Sequence, residues 1–298
     1  MGHLEGTTKV PVTQAEPEWL DLEKAVEKTC PPYSGSSYEW SKAHYFPRML
    51  DTWVPSLDLM AQICACAAKY NITVSLGFSE NDNNSLYISQ AIIGNDGEIT
   101  MARRKLKPTH MERTVFGDVS GNCLKNVAEV PGIGRIGALA CWEHAQPLLK
   151  YNTILQKEHF HVAAWPPVFE HDGGPGLWSM SKEGTHNLSQ TYAIESQTFV
   201  LHTTAVLTQN GIDRMDTSAG ALMNTPGGGS SAIFGPDGRK LSADIPDAEE
   251  GIIYADLDLD DIVKYKAFID VGGHYSRPDM LWLGVDDREK KHSRIQEE

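Results

Sequence analysis

Cys141 ends the apolar run Gly-Arg-Ile-Gly-Ala-Leu-Ala-Cys-Trp-Glu-His of residues 134–144, where a strand-like pattern turns polar and helical. A thiol at the C-terminal end of a buried strand sits at the rim of a sheet, and the amides of a following helix N-terminus lower its pKa. That is where a nucleophile belongs, although a lone cysteine in an apolar strand is more often structural. A second strand-end group tips the balance. Lys105 follows the strand-like segment 98–104 and opens the run Lys-Leu-Lys-Pro-Thr-His-Met-Glu-Arg, which adds the carboxylate of Glu112. Alone, such a run is a solvated charge cluster. Strand ends on one side of a sheet share a crevice, however. A lysine there stabilises negative charge developing on a substrate nitrogen or oxygen and keeps the thiol ionised.

The elements that must position these groups follow from hydrophobic period and turn chemistry. Residues 10–15 read as a short strand interrupted by Pro11. Residues 19–28 read as an amphipathic helix with Leu20, Leu22, Ala25 and Val26 on its apolar side, and the breaker-rich loop 30–38 follows. A helix over 57–70 leads to a buried strand over 72–78. Segments 85–93 and 98–104 form a hairpin around Gly94-Asn-Asp-Gly97. Strand 133–140, helix 145–156, strand 161–164, helix 186–196 and strand 199–207 come next. A Gly/Pro-rich loop over 210–229, a hairpin turning at Gly235-Pro-Asp-Gly238 and a strand over 252–257 complete the pattern. Alternating elements predict α/β layers in a single domain, 8–282, with a polar tail over 283–298.

Composition narrows the function. At 298 residues and 41% apolar content the chain can bury a substantial core, and its net charge of -14 opposes binding to nucleic acid. Five irregularly spaced cysteines argue against a disulfide framework and for a reducing, cytoplasmic setting. Cys64 and Cys66 fall on different faces of a helix, and His159 and His161 have no third ligand at a useful spacing, so no metal or other cofactor is expected. No apolar stretch is long enough to span a membrane, and the amino terminus has no secretory pattern.

Four motifs resemble the nitrilase branch of the carbon-nitrogen hydrolase superfamily, close to fungal and bacterial nitrilases and cyanide hydratases. They are Arg103-Arg-Lys-Leu-Lys-Pro-Thr-His-Met-Glu-Arg113, Ala140-Cys-Trp-Glu-His144, His161-Val-Ala-Ala-Trp-Pro166 and Gly273-His-Tyr-Ser-Arg-Pro-Asp279. The resemblance implies a four-layer α-β-β-α sandwich and a homodimer or larger homo-oligomer. It places Cys141 as nucleophile and Lys105 as catalytic lysine. Glu112 matches a second glutamate that helps place substrate or water. Trp142, Glu143, His144, Trp165 and Pro166 are then expected to shape the pocket. The implied reaction on a small nitrile runs through a thioimidate and a thioester to a carboxylic acid and ammonia.

One match is missing. The family's base glutamate lies in a Phe-Pro-Glu sequence at the end of its second strand, whereas the only Phe-Pro here is Phe46-Pro47, followed by Arg48. About 25 to 30 residues are expected to be absent after Thr29, enough for a helix end and a central strand. Glu16 and Glu39 are the candidate replacements for the base. Two alternatives follow: cyanide hydration or amide formation, and a noncatalytic structural or regulatory family member.

Overall fold

The computed structural model describes residues 7–16, 57–220 and 223–289. The helix expected over 19–28, the segment after Thr29 and the candidate base Glu39 lie outside these residues.

β1 (Thr7–Gln14) pairs antiparallel with β10 (Gly251–Asp258). After helix α1 (Leu57–Tyr70) come β2 (Val74–Asp82), β3 (Ser85–Ile93) and β4 (Ile99–Arg104), an antiparallel meander with a bulge at Ile92/Ile93. A five-stranded sheet follows, in chain order: β5 (Val127–Val130), β6 (Gly134–Ala140), β7 (Phe160–Trp165), β8 (Phe199–Thr204) and β9 (Ala232–Phe234). β6, β7 and β8 are parallel, joined through α2 (Pro147–Leu155) and α3 (Lys182–Ser196). Every residue of β7 is buried, as a parallel strand covered on both faces requires.

Three apolar clusters hold the layers. Val10, Val12, Ile92 and Met101 meet Ile136, Phe160 and Phe199 between the sheets. On one outer face α1 packs Ile63 and Ala67 on Leu76 and Ile93. On the other, α2 and α3 bring Leu149, Ile154 and Tyr192 onto Leu139, Ala163 and Val200. The order in space is therefore helix, sheet, sheet, helix.

Several boundaries differ from expectation for local reasons. The helix expected from 145 begins at Pro147, whose lack of an N–H suits a first helical position. Residues Cys141–Ala145 instead form a 3-10 turn. α3 starts earlier, at Lys182, because the Ser181 hydroxyl accepts the Gly184 N–H as a cap. The expected loop 210–229 opens with a short helix, α4 (Gln209–Met215), capped in the same way by Thr208. β5 and the final helix α5 (Asp260–Lys266) are too short to have stood out by periodicity.

Among the described residues β1 pairs with no strand but β10, and β2 with no strand but β3. Between them opens a cavity of about 70 Å³ lined by Val12 and Thr13 of β1 and by Ser75 and Gly77 of β2. The opposite sheet closes it from behind with Val162 and Thr203.

The packing yields a stability prediction. Phe160 and Phe199 stack at 6.0 Å between centroids in the inter-sheet cluster. Phe199→Ala is expected to cost about 3–5 kcal/mol in denaturant unfolding, against under about 0.5 kcal/mol for exposed Ile252→Ala.

Candidate active site

The two expected strand ends meet. Lys105 follows β4 and Cys141 follows β6, in different sheets, and Glu143 ties them together. Its carboxylate receives Arg103 Nη1 at 2.8 Å on Oε2 and Nη2 at 2.6 Å on Oε1. Oε1 also accepts the Leu106 N–H, and Oε2 the Ala140 N–H, both at 2.9 Å. One carboxylate thus grips the backbone next to Lys105 and the backbone next to Cys141. Both side chains of the ion pair are wholly buried. Burial pushes the Glu143 carboxyl up, but Arg103 and the two amides outweigh it and hold the group below the usual carboxylate range. Gln90 completes the clamp, accepting from Arg103 Nη1 at 2.8 Å and donating to the Leu139 carbonyl at 3.3 Å.

Cys141 itself is buried and has φ of 52°, in the left-handed region that a side chain normally avoids. Burial pushes its thiol up to about 12; Lys105 opposes this, Glu112 adds to it, and the Trp142 N–H donated to the sulfur lowers it again. The thiol was expected to be acidified by a helix N-terminus. That is corrected: α2 starts six residues later, and desolvation dominates.

Lys105 is almost fully buried, and its Nζ lies 2.5 Å from Glu112 Oε2. The same oxygen accepts the Thr109 N–H at 2.6 Å, which closes the 3-10 turn His110–Thr114 around Glu112. Oε1 of Glu112 has no partner among the described residues. Cys141, Lys105 and Glu112 therefore form one electrostatic unit.

Other expected positions have different surroundings. Trp142 is half-buried and meets Trp165 edge-on, 6.0 Å between centroids. Trp165 is buried and stacks on His144 at 5.3 Å; Pro166 is half-buried after β7. Glu143 and His144, expected to shape the pocket, turn into the protein interior. Glu143 is consumed by Arg103, and His144 Nδ1 donates to the Cys141 carbonyl at 2.7 Å. Burial, then the neighbouring His161, pushes His144 down to about 3, so its ring is neutral. His159 faces Arg135 while His161 faces Glu158, so the two histidines do not share a site. Glu16 gives both carboxylate oxygens to Thr208, one to its N–H at 2.8 Å and one to its hydroxyl at 2.6 Å.

Sequence reasoning assigned no role to Arg103, Gln90, Glu158 or Tyr192. Arg103 had a usable signal, since residues two apart on a strand share a face and it precedes Lys105 by two. The others lie far away in sequence and carry no local mark.

With the geometry in place, comparison with known proteins is informative. The sequence profile of the carbon-nitrogen hydrolase family matches residues 29–267. An arylacetonitrilase of Aspergillus kawachii is 56% identical over 312 residues, covering 96% of this chain and 94% of that protein. An arylacetonitrilase of Aspergillus niger matches with the same identity and coverage, and one of Hypocrea virens is 53% identical, covering 95% and 92%. Among solved structures, a carbon-nitrogen hydrolase of Helicobacter pylori superposes with a TM-score of 0.70 at 18% identity, covering 89% of this chain and 94% of that one. A Saccharomyces cerevisiae member of branch 10 of the nitrilase superfamily does so with 0.65 at 17%, covering 92% and 98%.

Two outcomes test this site. Arg103→Met strands a buried carboxylate and is expected to cost about 3–5 kcal/mol in denaturant unfolding. Because the thiol is pushed up to about 12, alkylation of Cys141 in the free protein is expected to rise about tenfold per pH unit from about pH 7 to 10 without a plateau. A Cys141→Ala control isolates the signal.

Proposed function

The chain belongs to the carbon-nitrogen hydrolase family and is a nitrilase-type hydrolase, and we propose that its substrates are arylacetonitriles, cleaved by Cys141 with Lys105 and Glu112. The observation that carries the assignment of residues is the cluster of buried Cys141 and Lys105 with half-buried Glu112. The substrate class rests on the relatives' activity and on the half-buried Trp142 beside the thiol, a surface on which an aryl ring stacks.

A thiol held this high requires a base at the moment of attack. Glu112 Oε1 takes the proton as Sγ bonds to the nitrile carbon, and the proton passes to the nitrile nitrogen to give a thioimidate. Lys105 stabilises the negative charge that develops on that nitrogen. Water adds to the thioimidate carbon, ammonia departs and a thioester remains. A second water, its proton again taken by Glu112, releases the carboxylic acid and restores the thiol. Glu16 is committed to Thr208 and is not assigned this work.

We further read the cavity between β1 and β2 as the position of a strand that relatives have and this chain lacks. Three observations support that reading: the edges of β1 and β2 that have no partner strand among the described residues, a profile match that starts at residue 29 although β1 lies before it, and alignments over 312 residues against a chain of 298. Self-association as a homodimer or larger assembly is supported by the exposed Phe268, Met280, Leu281 and Trp282, beside the motif of His274, Tyr275 and Arg277. The cysteines among the described residues, Cys64, Cys66, Cys123 and Cys141, form no disulfide with one another, which supports a reducing, cytoplasmic setting. No helix among the described residues is long and apolar enough to cross a membrane.

Ammonia release from phenylacetonitrile tests the reading. Cys141→Ala is expected to abolish it, and Glu112→Gln to lower kcat by about two to four orders of magnitude. Acid rather than amide as the main product separates hydrolysis from hydration. No Cys141-dependent product from any arylacetonitrile rejects the proposal.

A further inference from the structure

Behind the nucleophile runs a line of buried polar side chains that the reaction does not use. His144 Nδ1 lies 2.7 Å from the Cys141 carbonyl, and His144 Nε2 lies 3.0 Å from His161 Nε2. His161 Nδ1 lies 2.9 Å from Glu158 Oε2, and the Tyr192 hydroxyl donates to Glu158 Oε1. All four residues are at most 1% exposed. The rings are also packed face to face or edge-on: His161 on Tyr192 at 3.8 Å and 26°, His144 against Tyr192 at 5.9 Å and 74°.

The hydrogen-bond directions are determined from one end. A carbonyl only accepts, so His144 carries its proton on Nδ1 and, being neutral, accepts at Nε2. His161 must then donate from Nε2. One further proton lies between His161 Nδ1 and Glu158, on either atom, and the pair is neutral overall in both cases. The Tyr192 hydroxyl fills the remaining carboxylate oxygen. The chain ends at a backbone carbonyl, which does not titrate, so it delivers no proton to the sulfur. Its mechanical effect is on the Cys141 peptide, the residue held at a φ of 52°, a conformation that persists only when its surroundings over-determine it.

The sequence has made room for this chain. A Cβ on Gly137, which pairs with His161 across β6 and β7, would lie 1.8 Å from Glu158 Oε2. Gly137 in the middle of a buried strand weakens it, and its use here is the space occupied by that carboxylate.

We infer that His144, His161, Glu158 and Tyr192 are positioning residues that hold the Cys141 carbonyl, and through it the sulfur, in the orientation needed for attack. The inference rests on Cys141 being the nucleophile of the proposed reaction. Glu158 acts through three hydrogen bonds without touching substrate.

The test compares Glu158→Leu, which breaks the chain, with Glu158→Gln, which preserves it by donating to a neutral His161 and accepting from Tyr192. Tyr192→Phe removes a single hydroxyl and serves if Glu158→Leu does not fold. The chain is labelled with carbonyl-13C cysteine, the Cys141 resonance being identified by its loss in Cys141→Ala. Glu158→Leu, or Tyr192→Phe in its place, is expected to shift that resonance and lower kcat on phenylacetonitrile by about 100-fold with KM within about threefold. Glu158→Gln should leave both near wild type. An unmoved carbonyl resonance in the broken variant overturns the inference, as does a loss confined to KM or an equal loss in Glu158→Gln. If the wild-type chain releases no ammonia, the reaction assigned above fails, while the carbonyl resonance still decides whether the chain holds Cys141.

Discussion

The buried ion pair between Arg103 and Glu143 is the constraint on which the site depends. β4 and β6 lie in different sheets, and no ladder of backbone hydrogen bonds joins them. Apolar packing between the sheets brings the layers together but is non-directional. A bidentate guanidinium–carboxylate contact is directional, and here its carboxylate also takes one amide from each strand end. The isolated pair would be a poor source of stability, since desolvation of two charges offsets most of their attraction. Its contribution is register: Lys105 and Cys141 face each other because their neighbours share one anchor.

That anchor sets up an electrostatic conflict on the reactive side. A buried thiol is driven towards its neutral form; Lys105, paired with Glu112, favours the thiolate, while Glu112 opposes it. The Cys141 thiol is thus neutral at rest, and in the proposed reaction proton removal is coupled to bond formation. A resting thiolate would react with any electrophile that entered. In the proposed reaction a protonated one, poised by Lys105 and served by Glu112, reacts when substrate is in place. The strained backbone at Cys141 belongs to the same arrangement, since it lies where the β6 strand gives way to the 3-10 turn.

Much of this was legible in the residue order. The helix over 57–70, the hairpin around Gly94–Gly97 and the parallel strands ending at Cys141 and Trp165 carry strong periodic or turn signals, and the structure places elements there. Short elements such as β5 and α4 carry too few residues for a period to register. The sign of the thiol's shift was misjudged because a local argument, the helix N-terminus, was applied where a non-local quantity, desolvation, governs. Glu143 and His144 were expected at the pocket because the resemblance puts the segment after the nucleophile there, which says nothing of where their side chains point. In a 3-10 turn, successive side chains point in different directions, and these two point inward.

Residue types and their order alone determined that Cys141 and Lys105 sit at strand ends, with Glu112 in the run that follows Lys105, since strand ends follow from local pattern and the residues keep their chemistry wherever they fold. Only the tertiary structure decided that Arg103 and Glu143 join those ends, that Glu158 reaches Cys141 through two histidines, and that Glu16 is spent on Thr208. Those contacts span up to 192 positions of chain. Their partners are chosen by the packing of layers, a global property that no window of sequence contains.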